Sequence, residues 1–207
     1  MSLLLQWQGL LQKPLDFVDR QHLSGCFPQE VAAERVQILA AEPRFQSRLL
    51  AVLMAHFELQ PLDQTPQPDE EDLPVLLIPP DIFKRLPRLC GAIWHAVPLS
   101  QEIRSTFVNQ LRDRLGSEVF ALALANRQWA GAADLLRQPD ELVAAIDHDG
   151  ALCVAAWLQT QPSSLRDWLR LRLSEPPVTD SHSSMNAQIV KHVAAALLRT
   201  TLEERHE

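Results

Sequence analysis

The chain of 207 residues contains no tyrosine, six glycines and three cysteines. Cys26, Cys90 and Cys153 are odd in number, widely spaced and set among apolar residues. This pattern indicates buried free thiols in a reducing compartment, because disulfide frameworks and zinc sites use paired, closely spaced cysteines. No apolar run approaches the roughly 20 residues that span a bilayer. Residues 1–13 also lack the basic start and small-residue cleavage site of a signal peptide. These absences predict a cytoplasmic protein with no direct membrane insertion.

Positive charge is also scarce, since 19 Lys and Arg face 26 Asp and Glu, for a formal net charge of −7. Nucleic acids and anionic membranes reward clustered basic residues, so the balance disfavours both as partners. An apolar content of 46% over this length suits a globular domain with a real core.

Catalytic and ligand-binding motifs are missing as well. The sequence has no serine nucleophile elbow, phosphate-binding glycine loop or dinucleotide fingerprint. Asp147, His148 and Asp149 have metal-ligand chemistry, but consecutive residues of a regular helix cannot converge on one ion. We therefore predict no catalytic residue, cofactor or metal. An enzyme with an unrecognised constellation around His56, His95 or His148 remains the alternative.

The strongest structural signal covers residues 100–126, which predict two consecutive helices with Gly116 between them. The apolar stripe of the first comprises Ile103, Phe107, Val108, Leu111 and Leu115. The second, after Ser117, is apolar all round through residues 119–125, which predicts burial on every side. The expected fold is mainly α, a single multi-helix globular domain around this central buried pair.

Composition divides the chain into four segments. Residues 1–59 form an N-terminal helical part, and residues 60–74 hold four prolines and five acids, as in an exposed loop or linker. Residues 75–202 form the main helical body, and residues 203–207 a tail.

Three stretches have ambiguous periodicity. The run Val75–Ile78 predicts a short strand, since it is apolar, bounded by prolines and too short for a helix. Residues 165–173 predict helix first, while the Leu–Arg alternation ending at Leu171–Leu173 predicts a partner strand. A helix starting at Pro139 would turn Asp149 toward the core if it ran straight, so we predict a turn at residues 148–150.

Six residues are candidates for binding a partner protein. Arg104 lies inside an apolar arc, so either its charge snorkels to solvent, or it forms a buried pair with a carboxylate, or that face meets a partner. Trp129 lies beside a loop and is either a rim residue of the core or an interface anchor. The acidic run comprises Asp69, Glu70, Glu71 and Asp72, and is either solubilising surface or a charge that steers a basic partner.

Three runs resemble a known family. They are RLCGAIWHAVPLSQEIRSTFVNQLRDRLGSEVFALALANRQ at 88–128, AAWLQTQPSSLRDWLRLRLSEPP at 155–177 and AQIVKHVAAALL at 187–198. The first looks like the central region of the K component of bacterial type III secretion systems, the YscK/PscK/SctK family. The second and third resemble its later tryptophan–proline signature and its closing helix. The resemblance covers residues 75–200 and consists of hydrophobic patterns with a few fixed residues.

This resemblance implies a non-enzymatic cytoplasmic adaptor of the injectisome sorting platform. Such an adaptor links the forkhead-associated-like cytoplasmic domain of the inner-membrane ring to the pod, or C-ring, protein. It would act at the cytoplasmic face of the inner membrane and be a monomer in isolation. The alternative is a secretion chaperone or a regulatory helical protein-binding module.

Overall fold

The computed structural model describes residues 2–28, 30–133, 137–173 and 187–204, and the side chains of this set through 199. Its regular structure consists of α-helices and three short 3-10 helices, at Pro14–Asp16, Leu62–Gln64 and Arg127–Trp129. The α-helices are α1 Leu3–Leu11, α2 Arg20–Gly25, α3 Ala33–Ala41, α4 Pro43–His56, α5 Leu73–Leu77, α6 Pro80–Phe83, α7 Leu86–Trp94, α8 Ala96–Gln101, α9 Ser105–Leu115, α10 Ser117–Ala125, α11 Pro139–Thr160, α12 Ser163–Arg170 and α13 Ala187–Glu204. The mainly α prediction is confirmed.

Proline sets the start of several of these helices. Pro43 and Pro139 are the first residues of α4 and α11, and α5, α6 and α7 each hold a proline in their first two positions. A proline there loses nothing, because the first amide groups of a helix have no intrahelical acceptor and the fixed φ is already helical. Many of the prolines therefore mark the starts of helices.

Contacts group the residues into two compact units. Unit 1 comprises residues 1–84 and 158–176, and unit 2 comprises residues 85–157 and 177–207. The α11 helix contributes residues to both. The division into segments that composition predicts, with a linker at residues 60–74, stays a prediction.

Unit 2 is organised around α7, whose residues 89–93 are all buried. It packs against α8, α10, α13 and the 3-10 helix Arg127–Trp129. Its Gly91 also lies directly on the backbone of α11, where a Cβ atom would overlap the Ile146 carbonyl, and Gly150 of α11 lies in the same way on the Pro87 carbonyl. Two glycines thus let these helices touch backbone to backbone.

Unit 1 packs α1 against α5, and packs α2, α3 and α4 against one another. Trp7 of α1 meets Phe17 edge-on, with ring centroids 5.8 Å apart. Trp168 of α12 is fully buried, and its indole N–H donates to the Gln60 carbonyl at 2.8 Å. This hydrogen bond joins α12 to a segment more than a hundred residues earlier in the chain.

The central helix pair differs from its prediction in two ways. The chain leaves helical geometry at Glu102, with ψ of 112°, so the expected first helix is divided into α8 and α9. Ile103 lies in this break and is 90% exposed, although Leu111 and Leu115 are buried as predicted. Burial of α10 on every side was also wrong, since Leu124 is 39% exposed and Ala121 is exposed. Alanine side chains expose little apolar area, so one face of α10 can lie in solvent at a small cost in free energy. An apolar pattern alone therefore did not require burial.

The predicted strand pair was wrong. Residues Leu73–Leu77 form α5, Leu171–Leu173 is a turn and bend, and no strand occurs in the described ranges. A short apolar run has the same pattern in a buried strand and a buried helix, so periodicity could not decide. Here the last carbonyl groups of α5 find donors in a distant side chain, which makes the five-residue helix viable.

The predicted turn at residues 148–150 was wrong as well. The α11 helix runs unbroken for 22 residues, and Asp149 does turn inward. Its carboxylate is matched there by a histidine, as described below.

Within the described parts of the chain, no helix combines the length and apolar character needed to cross a bilayer.

Candidate functional site

The most exposed large apolar side chain among the described residues is Ile103, in the break between α8 and α9. Arg104 follows it in the chain, and the guanidinium carbon of Arg104 lies 3.8 Å from the centroid of the Phe107 ring. We call Glu102, Ile103, Arg104 and Phe107 the 102–107 surface. Arginine and aromatic side chains are enriched at protein-binding surfaces relative to the rest of a protein's surface.

The 102–107 surface is held in shape by Glu102. Its carboxylate accepts from the backbone N–H of Arg104 at 2.9 Å, and from Arg104 Nε at 2.9 Å and Nη2 at 2.6 Å. The side-chain hydrogen bonds from Arg104 are the main cause that lowers the pKa of Glu102 to about 2. Arg104 therefore pairs with a carboxylate at the surface, and not within the core. A guanidinium already fixed in place loses less conformational entropy when a partner binds.

The acidic run at residues 69–72 does not form one uniform surface. Asp69, Glu70 and Glu71 are exposed in a turn that leads into α5. Asp72 is 4% exposed, and its carbonyl accepts from the backbone N–H groups of Val75 and Leu76 at the start of α5. Three acids thus face solvent, while the fourth belongs to the fold.

Trp129 is half-buried at the end of its 3-10 helix. Its ring lies 5.3 Å from the His192 ring of α13, and His192 Nε2 lies 2.6 Å from Asn126 Oδ1. The tautomer with a proton on Nε2 donates to that amide oxygen. Trp129 therefore takes part in a contact that holds α13 against the end of α10.

A buried histidine–aspartate pair was not predicted. His95 Nε2 lies 2.7 Å from Asp149 Oδ2, and His95 is 1% exposed. Burial is the main influence on His95 and lowers its pKa, against the opposing effect of the Asp149 hydrogen bond. Because the pKa of His95 is lower in the folded state, its contribution to the stability of the fold is fully present above the unfolded pKa of about 6.5. That contribution is lost as the pH falls from there through the lower folded value.

No activated thiol accompanies this pair. Burial, and secondarily Asp149, raises the pKa of Cys153 to about 12, and burial also raises that of Cys90. Thiols that stay protonated at neutral pH are poor nucleophiles. His56 and His148, the other histidines considered, are exposed. Within the described ranges no three His, Cys, Asp or Glu side chains are grouped as metal ligands.

Arg172 is the second unpredicted buried polar group, at 1% exposure. Its Nη1 donates to the carbonyls of Val75 at 3.2 Å and Leu76 at 3.1 Å, and Nη2 donates to the Ile78 carbonyl. The guanidinium lies between two rings, 4.6 Å from the Phe17 centroid and 4.3 Å from the Phe83 centroid. Burial lowers the pKa of Arg172 to about 9, so it remains a cation at neutral pH. It caps α5 and has a structural role.

The described residues thus define an α-helical protein with buried polar contacts at His95 and Arg172 and a fixed, exposed pair at Glu102 and Arg104. Over 90 residues the chain is 33% identical to the nodulation protein NolU of Rhizobium fredii. It is equally similar to the nodulation protein NolU of Sinorhizobium fredii (strain NBRC 101917 / NGR234).

The matched segment covers 44% of this chain and 42% of each of these relatives. The chain therefore spans about two fifths of the length of the curated relatives it matches. No family model matches the sequence, and no solved structure matches it.

Proposed function

We propose that this chain is a non-enzymatic adaptor of a bacterial type III secretion sorting platform. It links the forkhead-associated-like cytoplasmic domain of the inner-membrane ring to the pod protein. It acts at the cytoplasmic face of the inner membrane and is a monomer before assembly.

The observation that carries this proposal is the 102–107 surface. It lies inside the run at residues 88–128 that resembles the K component, and it exposes Ile103 beside a guanidinium that Glu102 holds in place. An exposed isoleucine contributes nothing to the stability of an isolated chain, whereas a partner that covers it gains the full burial.

The similarity to NolU is compatible with a role in type III secretion. It supports the broader class, an association with secretion, and the resemblance of the run at residues 88–128 supports the narrower role of adaptor.

The test is a binding titration of the purified chain against the ring protein's cytoplasmic domain and, separately, against the pod protein. Ile103→Asp is the informative variant, because it replaces the apolar contact with a charge. Asn109→Asp is the matched control, since Asn109 is exposed on α9 and the substitution adds the same charge.

We expect Ile103→Asp to weaken one of the two complexes by at least about 2 kcal/mol, roughly 30-fold in Kd, as for the loss of a central interface contact. The control should bind like the unaltered chain, and both variants should melt at the same temperature. If the unaltered chain binds neither protein, the adaptor proposal fails. If it binds and Ile103→Asp changes neither affinity, the adaptor role stands and the 102–107 surface is not the contact.

A further inference from the structure

His95 is a buried histidine with one unsatisfied ring nitrogen. Its Nε2 lies 2.7 Å from Asp149 Oδ2, whereas its buried Nδ1 has no hydrogen-bond partner among the described residues. In the neutral tautomer that donates from Nε2, the Nδ1 atom carries only an unused lone pair. A second proton would make Nδ1 a donor, and a buried N–H without an acceptor incurs the full desolvation penalty of that group. The folded geometry therefore suits the neutral imidazole better than the imidazolium.

The charges near His95 act in opposite directions. Burial is the largest influence and lowers the pKa of His95, while the hydrogen bond and the charge of Asp149 raise it and the charge of Arg137 lowers it. These are the two described charged groups that act appreciably on His95. The Cys153 thiol on α11 stays protonated, because burial and Asp149 raise its pKa to about 12. The attraction of Asp149 thus does not compensate for the burial of the histidine ring.

Several other titratable groups on the helices packed around α7 and α8 have partners of their own. Arg88 pairs with Asp147, Glu118 with Arg85, and His192 with Asn126. The remaining such groups on these elements, through residue 199, are Cys90 of α7, Arg127 of the 3-10 helix, Asp140, Glu141 and His148 of α11, and Lys191 and Arg199 of α13.

His95 lies at the junction of α7 and α8. Its carbonyl accepts from the Leu99 N–H at 3.2 Å, in the first turn of α8. The end of α7 is anchored further, because the Trp94 carbonyl accepts from the backbone N–H groups of residues 131 and 132, each at 3.1 Å. The six-residue α8 is fixed less firmly, since only Ala96 and Leu99 of this helix are buried. A rearrangement at His95 is therefore expected to move α8 more readily than α7.

We infer that protonation of His95 releases α8 from the rest of unit 2, which makes the His95–Asp149 contact an acid-sensitive switch next to the 102–107 surface. The imidazolium is accommodated once α8 moves away and Nδ1 reaches water. Glu102, which follows α8 directly, has a pKa of about 2 and stays ionised over the same range, so it does not cause the change. The inference concerns the fold of unit 2 and does not rest on the proposed function.

The experiment is hydrogen exchange of the chain followed by NMR between pH 7 and 5, with each rate corrected for the intrinsic pH dependence of exchange. The reporters are the amides of residues 99–101 in α8, and the amides of α10 in unit 2 and α4 in unit 1 are the references. His95→Gln keeps a donor for Asp149 but cannot titrate. His148→Gln is the matched control, because His148 is an exposed histidine on the same helix as Asp149.

We expect the protection of the α8 amides to fall as the pH is lowered from 7 to 5. One proton and an unfolded pKa of about 6.5 limit this fall to about 25-fold. The α10 and α4 amides should change much less. His148→Gln should behave like the unaltered chain, and His95→Gln should show no loss of protection. The inference is overturned by unchanged α8 protection, by an equal loss in α10, or by the same loss in His95→Gln.

A second measurement requires no variant and follows the nitrogen NMR shifts of the His95 ring in the same pH series. The inference requires a proton on Nε2 at pH 7 and a titration midpoint below the unfolded value of about 6.5. A midpoint at or above that value would mean that the folded chain accepts the imidazolium without opening, and the switch would be excluded even if His95→Gln failed to fold.

Discussion

Replacing Gly91 with alanine should destabilise unit 2 severely. An added Cβ would lie 2.8 Å from the Ile146 carbonyl carbon and 3.0 Å from the Gly150 nitrogen, besides overlapping the Ile146 oxygen. These are backbone atoms of α11, so no side-chain rotation relieves the clash and the two helices must separate. Overpacking costs about 1–3 kcal/mol even where side chains can adjust. The higher helix propensity of alanine relative to glycine offsets about 1 kcal/mol of this cost.

We therefore expect Gly91→Ala to lose about 3 kcal/mol or more in the free energy of unfolding. For a chain of this size, that corresponds to a melting temperature lower by about 6–12 °C. The assay is thermal unfolding followed by circular dichroism at 222 nm, together with hydrogen exchange of the α7 and α11 amides, which reports on unit 2 directly.

Gly9→Ala is the matched control, because Gly9 lies within α1 and an added Cβ there meets nothing within 4 Å. It should raise stability by up to about 1 kcal/mol, since alanine favours helix and no atom must move. If both substitutions shift the melting temperature in the same direction by a similar amount, the close approach of α7 and α11 is not as described.

Three further predictions follow from the buried and exposed charges. Arg172→Met should cost about 3 kcal/mol in chemical denaturation, because it leaves the end carbonyls of α5 without donors, whereas Arg170→Met on the exposed face should cost less than about 0.5 kcal/mol. His95→Gln keeps a donor for Asp149 but cannot titrate, so its melting temperature should fall less than that of the unaltered chain between pH 7 and 5; parallel curves would contradict this. Lysine substitution at residues 69–71, with Asp72 retained, should slow association with a basic partner severalfold and leave the dissociation rate unchanged. If the association rates equal those of the unaltered chain at every salt concentration, the turn is only a solubilising surface.

Local signals in the sequence were sufficient where the chain's own neighbours decide the structure. The starts of α10 at Ser117, directly after Gly116, and of α11 at Pro139 were predicted, because glycine and proline act on the backbone within one helical turn. Burial of Leu111 and Leu115 followed from helical spacing.

The break at residues 102–104 had no such local marker. Its geometry depends on one carboxylate that accepts three hydrogen bonds from Arg104, and a Glu and an Arg two residues apart are common in continuous helices. The exposed isoleucine of the 102–107 surface was for this reason assigned to the core. The available signal for this surface was Arg104, the residue after Ile103. An arginine inside an apolar arc indicates that the arc does not belong wholly to the core.

Asp149 and Arg172 show how polarity misled the sequence reading of the interior. Asp149 lies on the inward side of α11, where a turn was predicted, and Arg172 lies in the turn after α12, where a strand was predicted. Burying a charge is unfavourable only while it lacks partners, and these partners lie far along the chain: His95 is 54 positions from Asp149, and the carbonyls that Arg172 binds are 94 to 97 positions away. No periodicity within one element can reveal such a match. For Asp149 the helical pattern was therefore correct, and α11 continues through this charged residue because His95 is placed to pair with it.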